Sequence, residues 1–187
     1  MKFRDLTAEE IEVRVQSVKQ NGLVLLLYKN ARCDMNILDE TIGAENWQRE
    51  HYECKGNMFC RVGICCKREN EPDEWVWKSD CGTESNTEAQ KGEASDSFKR
   101  ACFNWCIGRE LYTAPFIWIP AAKCNIKDTG KKDKYGKPIF ACYDRFEVEK
   151  IAVENKKITA ISIINASIES EAIKDKRCFV MLPRAKE

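Results

Sequence analysis

Between Ser85 and Tyr112 the chain reads SNTEAQKGEASDSFKRACFNWCIGRELY. Placed about 100° apart, successive residues there gather their apolar members on one side of a helix. Ala94, Phe98, Ala101, Cys102, Trp105 and Cys106 make the stripe, while Asp96, Lys99, Arg100 and Asn104 fall off it with Phe103 among them. Ser85 and Glu88 have the spacing of a capping box, and Gly108 stands where a helix stop belongs. The pattern therefore predicts one long amphipathic helix. An open face carrying adjacent cations and an aromatic suits a polyanion with flat bases.

A stripe of that length needs something flat to cover, and the preceding residues supply it. Trp47 to Cys54 and Met58 to Lys67 read as strands joined by the turn Lys55-Gly56-Asn57. On the second, Met58, Cys60, Val62, Ile64 and Cys66 alternate with Phe59, Arg61, Gly63, Cys65 and Lys67. After the polar segment Arg68 to Asp73, Glu74 to Cys81 reads as a third strand with Trp75 and Trp77 on one face. The expected fold class is α+β: an antiparallel three-stranded β-meander packed on the long helix, a β-β-β-α core, with an added C-terminal β-hairpin. Ahead of the core, Thr7 with Glu10 forms another capping box, and Ile11, Val15 and Val18 at spacings of four and three predict a first helix ending at Asn21-Gly22. Leu23 to Tyr28 reads as a short strand, and Asp34 to Ile42 as a second helix ending at Gly43. Beyond the core, Pro115 to Ile119 is a short apolar segment. Lys123 to Lys137 holds six lysines, two aspartates and two glycines, and reads as an exposed loop. Ile139 to Val153 and Lys157 to Ile164 read as the hairpin, turning around Glu154-Asn155-Lys156, and Cys178 to Leu182 as an edge strand in a charged tail.

A length of 187 residues suits one domain with a real core, here 1–187, divided into 1–120 and a hairpin and tail over 121–187. Lys and Arg number 31 against 30 Asp and Glu, for a net charge of +1. Any nucleic-acid binding must then come from local clustering rather than overall charge. No apolar run approaches the ~18 residues of a membrane span, and the N-terminus lacks the apolar core of a signal peptide. Eleven cysteines is an odd number, and most sit inside apolar patterns where a free thiol packs as a small hydrophobe. The reading is a reducing cytoplasm without structural disulfides.

Several chemistries fail on inspection. One histidine, His51, excludes histidine triads and multi-histidine metal sites; on an alternating strand it reads as a surface or pairing residue. Cys60, Cys65 and Cys66, and Cys102 with Cys106, lack the tight loop pairs of a zinc site. Gly130 and Gly136-Lys137 hint at a phosphate loop, but their spacing is wrong and Pro138 replaces the magnesium-binding hydroxyl. That argues against ATP-driven strand exchange. Asp80, Glu84, Glu88 and Glu93 cluster at the start of the long helix. Acids there stabilise a helix by ~0.3–1 kcal/mol each; the sharper alternative is a metal-dependent nuclease.

Gly92-Glu-Ala-Ser-Asp-Ser-Phe-Lys-Arg-Ala101, followed by Gly108 and Leu111-Tyr112, resembles the core motif of the Rad-fifty-two family of single-strand annealing proteins, which includes the Sak-type proteins of bacteriophages. Tyr28-Lys29-Asn30-Ala31-Arg32, Leu38-Asp39-Glu40, Gly43 and Asn46-Trp47 form a second block in the family's order, so the resemblance covers roughly residues 8 to 120. It implies ATP-independent binding of single-stranded DNA and annealing of complementary strands in recombination and repair, with no cofactor, metal or catalytic residue. It also implies a homo-oligomeric ring or helix, a setting in the cytoplasm of a phage-infected bacterial host, and a phage exonuclease or single-strand binding protein as partner. Lys99 and Arg100 match the basic pair of the family's inner DNA groove, Arg32 matches another groove arginine, and Lys91 a basic position of the motif. Phe103 replaces a further arginine, exchanging a phosphate contact for base stacking or a subunit interface. Arg32 has an ordinary alternative in pairing with Asp34 or Asp39. The competing functions are DNA-end protection without annealing, the nuclease, and a structural oligomer packed through Trp75, Trp77 and Phe103. DNA and RNA are not distinguished, because phosphate contacts and stacking serve both.

Overall fold

The computed structural model of the chain describes residues 1–67, 72–83 and 89–182. It is α+β, with antiparallel sheets and few helices. The backbone divides into two compact units, one of Met1–Asp5 with Asn30–Arg109 and one of Leu6–Lys29 with Glu110–Glu187.

The first helix expected between Thr7 and Asn21-Gly22 does not form. Glu10 does accept from the Thr7 N–H at 2.9 Å, but the capping box closes only the single turn Ala8–Glu10. The chain then runs as β1, Glu12–Lys19, paired with β2, Gly22–Tyr28. Val13, Val15 and Val18 are stiff at χ1 and favour strands. The run from Leu23 to Leu27 buries Leu23, Leu25 and Leu27 and needs a neighbour for its backbone groups. The helix-like spacing of Val15 and Val18 is the signature of a bulge: the register shifts between Val15 and Ser17, which resets the phase of the strand.

In the first unit, α1 spans Ala31–Ile42, three residues longer at its start than expected, because Asn30 caps it by accepting from the Cys33 N–H at 3.0 Å. Gly43 ends it. Strands β3, Trp47–Cys54, β4, Asn57–Cys66, and β5, Glu74–Cys81, follow as one antiparallel sheet in that order. Helix α2, Ala89–Asn104, packs across β4 and β5. At 16 residues it is shorter than the sequence pattern, and its stop is not Gly108. Ile107 N–H bonds Cys102 O at 3.1 Å and Cys106 N–H bonds Phe103 O at 2.9 Å, a Schellman closure. Cys106 takes the left-handed conformation, with φ 67°, and the fully buried Ile107 is the apolar anchor that fixes the stop there. The capping box at Ser85 and Glu88 lies outside the described residues. At the end of β5, α2 comes so close that a Cβ on Gly82 would stand 2.1 Å from Glu93 O; only glycine admits that approach.

The second unit resumes with β6, Ile117–Pro120, then β7, Ile126–Lys132, β8, Pro138–Cys142, β9, Phe146–Glu154, β10, Lys157–Asn165, the short α3, Ile173–Lys176, and β11, Arg177–Met181. The six-stranded sheet has the order β11-β10-β9-β1-β2-β6, and β7 pairs with β8 separately. Two expectations change. Lys123–Lys137 is not a loop, since its centre is β7; and Ile139 to Val153 is not one strand. The break falls at Asp144, whose carboxylate accepts from Asn125 N–H at 2.8 Å, Asn125 Nδ2 at 3.0 Å and Asn165 Nδ2 at 2.8 Å. The β9–β10 hairpin turns on Asn155 and Lys156, both with positive φ, as a two-residue hairpin turn requires. It is built into the six-stranded sheet rather than appended to the fold.

Candidate nucleic-acid interface

Helix α2 has one dry face and one polar face. Phe98, Ala101 and Cys102 are 0–1% exposed, as are Cys60, Val62 and Ile64 of β4. Trp47 stacks with Phe98 at 6.1 Å between centroids, and the Arg49 guanidinium lies 4.8 Å from the Phe98 ring. Trp105 donates through Nε1 to Val62 O at 3.0 Å. His51 Nε2 lies 3.0 Å from Ala94 O, so the single histidine ties β3 to the helix. Burial pushes the Cys60 thiol up to about 11, which keeps it a protonated, packing side chain.

The polar face carries the candidate cations. Lys99 is half-buried and makes no ion pair with a described residue. Arg100 beside it is half-buried, and its Nε lies 3.3 Å from Asp80 Oδ1. Asn104 reaches the same strand, donating to Ser79 O at 3.1 Å. Asp80, proposed from sequence as one of an acidic cluster, therefore orients an arginine; Glu93 accepts from the Met58 N–H at 2.7 Å. Glu84 and Glu88 lie outside the described residues. Among the described residues, no group of three or more His, Cys, Asp or Glu side chains is placed to hold a metal.

Arg32 stands in the first turn of α1, which packs against α2. It is exposed and pairs with neither local acid: Asp39 accepts from Trp47 Nε1 at 2.7 Å, and Asp34 is fully buried. Lys91 lies in the first turn of α2. Phe103 is half-buried near the helix end. Arg109 donates to Phe103 O from Nε at 3.1 Å and Nη2 at 2.8 Å, and Lys78 Nζ donates to Asn104 O at 2.9 Å. These two cations satisfy the terminal carbonyls and complement the helix dipole.

One feature of the unit goes beyond the sequence pattern, which put only Trp75 and Trp77 on a common face. On the sheet face away from α2, Tyr52 stacks on Phe59 at 5.6 Å and Trp75 on Trp77 at 6.2 Å. Between them the Arg61 guanidinium lies 4.6 Å from the Trp77 ring and its Nε donates to Glu50 Oε2 at 3.0 Å. A Cβ on Gly63 would meet the Trp77 ring at 2.8 Å, so the glycine lets the indole lie flat on β4. The signal was the strand pairing, which sets Gly63 opposite Trp77 and Phe59 opposite Tyr52.

Chemically, α1 and α2 carry between them one ammonium, Lys99, and two guanidinium groups, Arg32 and Arg100, group types suited to phosphodiester oxygens. Among the described residues, no helix is long and apolar enough to cross a membrane. Over residues 3–128 the chain matches the family described as Rad52/22 family double-strand break repair protein. No curated protein and no solved structure matches it.

Proposed function

The chain belongs to the Rad52/22 family of double-strand break repair proteins, a family of DNA recombination and repair, and from that premise we propose that it binds single-stranded DNA and anneals complementary strands without ATP. The observation that carries the proposal is the polar face of α2. Lys99 and Arg100 sit side by side opposite a helix face that is 0–1% exposed at Phe98, Ala101 and Cys102, with Arg32 on the packed neighbour α1.

Annealing breaks and forms no covalent bond, so no catalytic residue, cofactor or metal enters the proposal. Lys99, Arg100, Arg32 and Lys91 neutralise phosphates and leave the bases outward; Phe103 stacks on a base or packs against a neighbouring copy. A single small domain covers few nucleotides, so the two units act as one annealing domain that repeats in a ring or helix. A phage recombination system, with an exonuclease or single-strand binding protein beside it, is the setting this reading favours.

The test is fluorescence anisotropy of a labelled single strand across a salt series, with wild type and Lys99→Glu/Arg100→Glu. Loss of two phosphate contacts should flatten the slope of log affinity on log salt by about 1.4 and leave the circular dichroism unchanged. Equal affinity and slope in the two proteins would overturn the site assignment. A magnesium arm separates the nuclease reading: the labelled strand should stay intact, and cleavage lost with Asp80→Asn would replace annealing with hydrolysis.

A further inference from the structure

The densest cationic segment of the chain lies outside α1 and α2, in the second unit. Lys123, Lys127, Lys131, Lys132, Lys134 and Lys137 stand against Asp128 and Asp133, which gives this short stretch four more positive than negative charges in a chain whose net charge is only +1. None of the six lysines makes an ion pair with a described residue.

The stretch is nevertheless ordered, because its acids are used to shape it. Asp128 Oδ1 accepts from the Gly130 N–H at 2.8 Å. Asp133 Oδ1 accepts from the N–H groups of Tyr135 at 2.8 Å and Lys137 at 2.9 Å, and Asp133 N–H bonds Lys137 O at 2.9 Å. Each carboxylate thus fixes a turn and leaves the lysine ammonium groups unmatched. Thr129 Oγ1 donates to Ile139 O at 2.7 Å and ties the two strands. The result is a two-stranded ribbon, β7 and β8, exposed from residue 127 through residue 139. Tyr135 at its tip is 75% exposed, with the Lys134 ammonium 5.0 Å from its ring.

We propose that the β7–β8 hairpin is a second phosphodiester-binding element, in which the lysines contact backbone phosphates and Tyr135 rests on an exposed base or sugar. A two-stranded ribbon is of a width that enters a duplex major groove, and lysines interleaved with an aromatic also suit a single strand. An anionic membrane fits less well, since the tip presents a tyrosine and lysines and no apolar wedge. The proposal rests on the nucleic-acid reading above, but on different residues, in the other unit.

The test measures anisotropy of a labelled single strand and of a duplex of the same length, with wild type, Lys99→Glu/Arg100→Glu and Lys131→Gln/Lys132→Gln/Lys134→Gln. The three lysines are exposed, so the melting curve should not move. The triple variant should lose about tenfold or more in affinity at low salt, with the slope on log salt flattened by about 2 if the hairpin holds a single strand and about 3 if it holds a duplex. A Tyr135→Ala variant should weaken single-strand binding further if the ring stacks. Wild-type affinity and slope in the triple variant on both nucleic acids would overturn the hairpin while leaving the α2 reading intact. Failure of wild type to bind either nucleic acid would overturn both. Loss of binding to phosphatidylserine–phosphatidylcholine vesicles, with nucleic-acid binding unchanged, would reassign the hairpin to a membrane surface.

Discussion

Cys106 holds a left-handed backbone, φ 67°, that an L-residue with a Cβ adopts at a penalty of about 1–2 kcal/mol. Cys106→Gly should therefore stabilise the fold by ~0.5–1 kcal/mol, visible as a higher denaturant midpoint. Gly108 is left-handed as well, φ 67°, so Gly108→Ala should lower the midpoint even though the helix stop lies two residues earlier. The Arg100–Asp80 contact is partly solvent-exposed, at 39% and 28%, so its worth to stability is small; its effect on binding is the informative one. If phosphate competes with Asp80 for the guanidinium, Asp80→Asn should tighten single-strand binding severalfold at low salt, measured by anisotropy. Weaker binding would mean the carboxylate is needed to aim the arginine. That Lys99 and Arg100 lie off the buried face of α2 was legible from helical periodicity, because a stripe of period 3.6 fixes what lies off it. Asp80 as the partner of Arg100 was not, since the strand pairing and the close approach at Gly82, rather than any local pattern, bring residue 80 to residue 100.

Helix α2 docks through backbone as much as side chain. A methyl group on Gly82 would meet Glu93 O at 2.1 Å, so Gly82→Ala should destabilise the protein by ~1–3 kcal/mol, read by denaturant unfolding. In the second unit, Glu149 on β9 accepts from Arg177 Nε of β11 at 2.7 Å and from Ser162 Oγ of β10 at 2.6 Å. Those donors hold its carboxyl down at about 2. A carboxyl lowered on folding stabilises fully above its unfolded value, near 4.3, and loses that contribution as pH falls through the folded one. Amide exchange in β11 should therefore accelerate between about pH 4 and pH 2 beyond the change of intrinsic rate, and Glu149→Gln should abolish that step. Strand β4 could be read from alternation because Cys60, Val62 and Ile64 are dry while Arg61 between them is exposed; β3 followed from the turn that joins it to β4. The N-terminal strand was misread because a bulge mimics helical spacing, and β7 because a solvated hairpin has no apolar face to alternate with.

Across the whole chain, the near-balance of charge, 31 against 30, leaves recognition to placement. Arg32 stands on α1, Lys99 and Arg100 on α2, and six lysines along the β7–β8 hairpin and its approach, and the outer face of the three-stranded sheet adds paired aromatics. A binder of this kind should be steeply salt-dependent and indifferent to sequence. The most direct test of the central claim is annealing of two complementary labelled oligonucleotides at low salt without ATP, comparing wild type with Lys99→Glu/Arg100→Glu. Rapid pairing by wild type, lost in the double variant while folding and assembly are kept, is the predicted result. Tight single-strand binding by wild type with no acceleration of pairing would contradict annealing and make the protein a guardian of DNA ends.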